Sequence, residues 1–465
     1  MLFSVQEEPK LKNALRRAGG ILLVGSVLLI TWSRLAEGQA PASSQQAAAS
    51  VVITLDEALK RAQANEPTFA SAEADAKVAG LDKRIARAGL LPSVTYHNQA
   101  LYTQPNGLSN QAGQGVGAQP SPIFIANNAV REYASQGVVN EDIGLAQISA
   151  VRRADAAAAM ARAELEIARR GLVSTVTGLY YGLAAANRKL DIAQRAANEA
   201  ADFTKLTGQR EQAREAAHAD TVKAELQQQG RDRELSDAKL NADKARLDLA
   251  VLLFPDPRTP YTINVPETVA ALAARDEVNQ LAAKNNAELK SALAALNVSN
   301  ADVVSARAAY LPGLGLNYTY GIDAPQFAVN GPDHVKNLGY SASITLDIPV
   351  WDWLATEHKL KQSEIKRDAA KVALTATQRR LIAQLDEFYA EAEAARDQLA
   401  SLDASVATAA ESLRLTKLRY TGGEATVLEV VDAQGAFIIA ENAREDGRVR
   451  YEAAHAALQT LTGTM

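Results

Sequence analysis

From Gly313 to Asp347 the chain twice alternates in polarity at every second residue. Leu314, Leu316, Tyr318, Tyr320 and Ile322 share one parity, and Gly313, Gly315, Asn317, Thr319 and Gly321 share the other. Tyr340, Ala342, Ile344, Leu346 and Ile348 then alternate with Ser341, Ser343, Thr345 and Asp347. A period of two predicts strands with one apolar and one polar face. Upstream, Val94, Tyr96, Ala100 and Tyr102 oppose Ser93, Thr95, His97 and Gln99, and a weaker candidate runs from about Tyr133 to Asp142. Strands of about ten residues with one apolar face suit an outer membrane, although soluble sandwich strands alternate likewise. Four such strands close neither a barrel nor a two-sheet core, so copies of the chain would have to pool them.

The rest of the periodic sequence is helical. Leu381, Leu385, Phe388, Ala392, Ala395, Leu399, Leu402, Val406, Ala409 and Leu413 step by four and three without interruption, the seam of a coiled coil. Leu165, Leu172, Val176, Leu179, Leu183, Ala186 and Leu190 follow the same rule, with Arg169 as the departure. No proline falls between Ile148 and Phe254, or after Val350. A helix from about Ala355 to Tyr420 extends ~100 Å, far beyond a globular domain. Its return is predicted at Thr421-Gly422-Gly423, and Thr426 with Glu429 forms the capping box of the next helix. The matching turn of the earlier hairpin falls near Ala213 to Asp220, which contains no glycine.

The pattern occurs twice. Arg-Ala-Gly-Leu-Leu-Pro ends at Pro92, and Arg-Ala-Ala-Tyr-Leu-Pro ends at Pro312, 220 positions later; Asp56-Glu57 recurs at Asp276-Glu277 by the same offset. Pro92 and Pro312 each stand where the period switches from helix to strand. A helix capped by Thr54, with Glu57 completing a capping box and Pro67 as a possible break, leads to the first switch. The expected organisation is a secretory leader over residues 1–40, a flexible linker over 41–50, one repeat (helix, strand, strand, helical hairpin) over 51–260 and a second over 261–465.

The leader reading rests on Lys10, Lys12, Arg16 and Arg17 before the apolar run Ile21 to Ile30, with Gly38-Gln39-Ala40 suited to cleavage. That run is too short to span a bilayer as a helix, so an exported membrane form would have to be a barrel. Lys and Arg total 49 against 54 Asp and Glu, a net charge of −5, which argues against a nucleic-acid partner. Cysteine is absent, removing disulfides, thiolate metal sites and acylated anchors. His97, His218, His334, His358 and His455 lack metal-ligand spacing, and Gly113-Gln114-Gly115-Val116-Gly117 lies between strands and opens no helix. Neither an enzyme nor a cofactor or metal is expected.

In this order the segments resemble the TolC-type outer membrane efflux protein family over about Val51 to Gly463. The resemblance is carried by Ile53-Thr54-Leu55-Asp56-Glu57-Ala58-Leu59, Arg87 to Pro92, Ile348-Pro349-Val350-Trp351-Asp352-Trp353, Arg419-Tyr420-Thr421-Gly422-Gly423-Glu424-Ala425-Thr426 and Leu428-Glu429-Val430-Val431-Asp432-Ala433-Gln434. It implies a mixed α/β membrane protein in the outer membrane of a Gram-negative-type cell. Long antiparallel coiled-coil helices would form a periplasmic α-barrel, and a homotrimer would share a 12-stranded β-barrel against outer-membrane lipid. It implies partners as well: a periplasmic adaptor protein and, through it, an inner-membrane transporter, the channel being the passive exit duct for small molecules.

By the same resemblance Glu429 and Asp432 fall at a tunnel constriction, with Asp220 the acidic position of the other hairpin. Gly422, Gly423, Thr426 and Arg214 mark the tip turns where an adaptor would dock. Arg214 stands where a glycine is usual, and Ala425 where some members carry a basic residue; the gate is placed at the second hairpin. Glu429 is equally read as the capping residue of Thr426, the two roles being compatible. An exported coiled-coil tether of the envelope, or a type I secretion duct for polypeptides, are the rival functions.

Overall fold

The computed structural model describes residues 51–102, 131–266, 269–331, 334 and 336–464. The expected leader and linker and the Gly113 to Gly117 stretch lie outside them. The elements run β1 (Val51–Ile53), α1 (Leu55–Asn65), α2 (Pro67–Ala88), β2 (Ser93–Tyr102), β3 (Arg131–Ile143), α3 (Leu145–Gln212), α4 (His218–Leu253), β4 (Tyr261–Ile263), α5 (Arg275–Asn285), α6 (Ala287–Ala308), β5 (Gly313–Ala324), β6 (Leu338–Asp347), α7 (Ala355–Thr421) and α8 (Val427–Thr462). No helix among them is long and apolar enough to cross a membrane.

α3 and α7 are 68 and 67 residues long, ~100 Å each. The predicted seams are buried or half-buried throughout, because they supply the contacts between α3 and α4 and between α7 and α8. Arg169 is tolerated on its seam because Glu166 receives both Arg169 and Arg170, at 2.8 and 2.6 Å. Towards the strands, α2 packs on α3, α3 on α6, and α6 on α7. Ion pairs tie each of these contacts at one level: Arg87 to Asp155, Arg153 to Asp302 and Arg307 to Glu364.

The four long strands form one antiparallel sheet in the order β2-β3-β5-β6. Register lines the apolar parity up across it: Val94 faces Val139, Val139 faces Tyr318, and Tyr318 faces Ala342. That face is bare in the single chain, with Val94 74%, Tyr96 73%, Tyr340 76% and Ile344 75% exposed. Among the described residues both outer strands, β2 and β6, leave one edge without a partner.

The expectation of four strands needs correction, because β1 and β4 form a parallel pair. Three residues are too few to display a period, and this pair is held by a side chain. The buried Tyr180 hydroxyl lies 3.1 Å from Ile53 O and 2.6 Å from Asn264 O, one on each side of the pair. The hydroxyl of Tyr389, 209 positions after Tyr180, donates to Ala273 O, 220 positions after Ile53, with no strand there. A boundary drawn after residue 260 also separates β1 from β4.

The possible break at Pro67 is realised: the first helix ends at Asn65, and the Glu66 side chain caps α2 ahead of Pro67. Only half of the Thr54 box forms: Thr54 accepts from Glu57 N, whereas the Glu57 carboxylate pairs with Arg61 at 2.7 Å.

Candidate functional site at the hairpin tips

Each long hairpin reverses in five residues by the same device. In the α7–α8 turn, Gly423 N donates to Tyr420 O and Glu424 N to Arg419 O, with Gly423 at φ +80°. In the α3–α4 turn, Arg214 N donates to Glu211 O and Glu215 N to Arg210 O, with Arg214 at φ +65°. Arg214 therefore adopts the left-handed backbone that Gly423 adopts 209 positions later. The missing glycine leaves the turn where it was and makes it more strained.

The same offset carries Ala217 to Thr426, Asp220 to Glu429 and Lys223 to Asp432. Thr426 and Glu429 form a complete capping box, while Ala217 offers α4 no side-chain cap. Glu429 also meets Arg419 at 3.4 Å. Its carboxyl lies below the usual range, first because the Thr426 main chain and hydroxyl bind it, then because of Arg419. In the single subunit Glu429 is thus an ionised, engaged cap, opposite in direction to crowding by like charges. Asp432 follows one turn later on the same exposed stretch of α8. Asp220 is half-exposed in the first turn of α4, on the other hairpin.

The residues that join the hairpins were not foreseen. Phe203, Ala224, Tyr420, Val427 and Val430 make a small core at the tip. The rings of Phe203 and Tyr420 lie 5.2 Å apart, and the Arg210 guanidinium sits 4.9 Å over the Tyr420 ring. Arg210 Nη1 also donates to Tyr420 O at 2.6 Å, and Lys417 meets Glu199 at 2.9 Å. Periodicity reports which face of a helix is buried and cannot report which distant side chain covers it. The one available signal was an aromatic two places before a turn glycine.

Away from the tip, ion pairs join the hairpins along α3 and α8: Arg195 with Glu441, Arg188 with Glu445 and Lys189 with Asp446. Burial works to raise the Glu445 carboxyl, but Arg188 and Arg444 outweigh it and hold the group below its usual range. Among the described residues no three His, Cys, Asp or Glu side chains converge as metal ligands. Pro92 and Pro312 lie between α2 and β2 and between α6 and β5, each after matching turns at Arg87 and Ala88 and at Arg307 and Ala308.

The family model described as "Outer membrane efflux protein" matches residues 278–464. Outer membrane protein OprJ of Pseudomonas aeruginosa is 27% identical over 159 residues, 34% of this chain and 33% of the relative, so the match spans about a third of that relative's length. The CmeC outer membrane channel of Campylobacter jejuni is 16% identical with a TM-score of 0.74, covering 94% of each chain. The MtrE outer membrane channel of Neisseria gonorrhoeae, in its open state, is 18% identical with a TM-score of 0.73, covering 88% of each chain. At such identities these two likenesses speak for the fold. The sheet with two open edges and the paired ~100 Å helices agree with these channel structures on the fold, and residues 278–464 carry the sequence pattern of the outer membrane efflux protein family.

Proposed function

We propose that three copies close one 12-stranded barrel in the outer membrane, their long helices continuing into the periplasm as a tunnel. The protein is then the passive exit duct for small molecules, coupled by a periplasmic adaptor to an inner-membrane transporter. One observation carries this reading: a four-stranded sheet with two free edges and an apolar face bare on its outer strands has no stable place in an isolated chain. Pairing β6 of one copy with β2 of the next is antiparallel, satisfies both edges and leaves the apolar face to lipid. The helical layer supports it, since α2 and α7, at opposite ends of that layer, expose Val78, Leu81 and Ile85 and Ile365 and Val372.

At the tip, Glu429 and Asp432 of three subunits would ring the tunnel mouth and favour cations, Asp432 being the freer of the two from capping. Gly422, Gly423, Thr426 and Arg214 shape the turns offered to the adaptor, and Asp220 belongs with that surface.

Because the chain has no cysteine, introduced pairs report the seam cleanly. Thr95→Cys combined in turn with Ser341→Cys, Ser343→Cys or Thr345→Cys is expected to give one combination that oxidises to a ladder ending at a covalent trimer. Absence of intersubunit bonds in all three combinations contradicts the shared barrel.

A further inference from the structure

One buried carboxylate of α8 is used neither by the barrel nor by the tips. Glu452 is 6% exposed, and among the described residues it enters no ion pair. The groups that act on it are Arg448, by charge from one turn away, and Tyr181 on α3, whose hydroxyl can donate to it. Burial is the largest effect on its carboxyl and pushes it up, against both of them. Glu445, seven positions earlier and just as buried, differs: Arg188 and Arg444 meet it at 2.9 and 2.8 Å.

Glu452 faces a cavity of about 270 Å³ enclosed by α1, α3, α8 and the extended chain at Ala270. Asp56 and His455 line it as well, and no lysine or arginine does. Burial lowers the His455 pKa, so at neutral pH the imidazole adds no charge. Its ring stacks on Tyr451 at 5.9 Å, and the Tyr451 hydroxyl donates to Ala270 O, which fixes this wall before any ligand arrives. The cavity thus holds two carboxylates and no cation.

A carboxylate buried without a partner charge is costly, and a cation entering beside it offsets that cost. Among the described residues no three His, Cys, Asp or Glu side chains converge as metal ligands, so the lining suits an organic cation. An alkylammonium has three N–H donors, for which Glu452, Thr177 and Gln459 are acceptors, and an alkyl part for which Leu55, Leu59 and Val173 are apolar wall.

We infer that this cavity binds a small primary ammonium ion, which pairs with Glu452 and braces α8 against α1 and α3. The site lies within one chain, so it stands apart from how copies assemble.

The test uses the full chain in detergent at neutral pH, with butylammonium chloride as the probe and sodium chloride at equal ionic strength as the control. Amide exchange in residues 449–459 is expected to slow saturably, about tenfold at ten times the apparent Kd, and sodium should leave it unchanged. Glu452→Gln should abolish the slowing and melt no lower than the parent, since it removes an unpaired buried charge. His455→Lys places a tethered ammonium one turn from Glu452; it should slow exchange by itself and no longer respond to the probe. Slowing that sodium reproduces, that does not saturate or that persists in Glu452→Gln overturns the site, as does a probe response kept in His455→Lys. Where Glu452→Gln melts lower or fails to fold, His455→Lys decides.

Discussion

Arg210 clasps Tyr420 twice, its guanidinium 4.9 Å over the ring and its Nη1 2.6 Å from the carbonyl oxygen. The two residues belong to different hairpins and to different halves of the sequence, so this clasp holds the tips together within one subunit. A cation–π contact with a charge-assisted hydrogen bond is worth about 1–3 kcal/mol. Arg210→Ala should therefore speed amide exchange in residues 203–225 and 415–432 about tenfold or more, with little change elsewhere. Arg210→Lys keeps charge and loses the fork, and should fall between. Unchanged exchange in Arg210→Ala would remove the clasp from the account.

The two tip turns predict opposite responses. Arg214 holds left-handed backbone at a cost of about 1–2 kcal/mol, and Gly423 holds it freely. Arg214→Gly relieves that strain but adds about 0.5–1 kcal/mol of unfolded-chain entropy, so a small net gain is expected. Gly423→Ala has no such relief and should destabilise its tip by about 1 kcal/mol. Exchange of the Glu215 and Glu424 amides, which close the two turns, reads both effects.

Glu166 supplies a pH dependence. Arg169 first, then Arg170, bind its carboxylate and hold its pKa at about 2, against a burial effect that works to raise it. A depressed folded pKa means the contribution is complete above the ordinary carboxylate pKa of about 4.3 and is lost as pH falls towards 2. Partial exposure reduces the effect to about 1–2 kcal/mol. The site lies near the C-terminal end of α8, where Arg170 also donates to Thr460 O and to Asn285 O. Glu166→Gln should lower the melting temperature at neutral pH and leave it nearly unchanged near pH 2.

The architecture is largely legible in the sequence. The ten-residue alternation marked all four long strands, the four–three step marked the faces on which α3 and α7 pack, and Pro92 and Pro312 marked where one period gives way to the other. What stayed hidden lacked a period or depended on a partner far along the chain. β1 and β4 are three residues each, and Tyr180 joins them from 127 residues beyond Ile53 and 84 before Asn264. The turn of the first hairpin fell inside the predicted range despite its missing glycine, whereas the left-handed backbone of Arg214 could not be read from the residue type. At the tip, Glu429 could be read as a cap from Thr426 alone, whereas Arg210 and Tyr420 could be matched only in three dimensions.

The most direct measurement of the central claim is single-channel recording of the purified chain in a planar bilayer, with its trimer followed by electrophoresis before and after heating. The account predicts a heat-sensitive trimer with stable, cation-preferring conductance, and a weaker preference in Asp432→Asn. A monomer, or a trimer that carries no current, would contradict the shared barrel and leave the long helices as a tether.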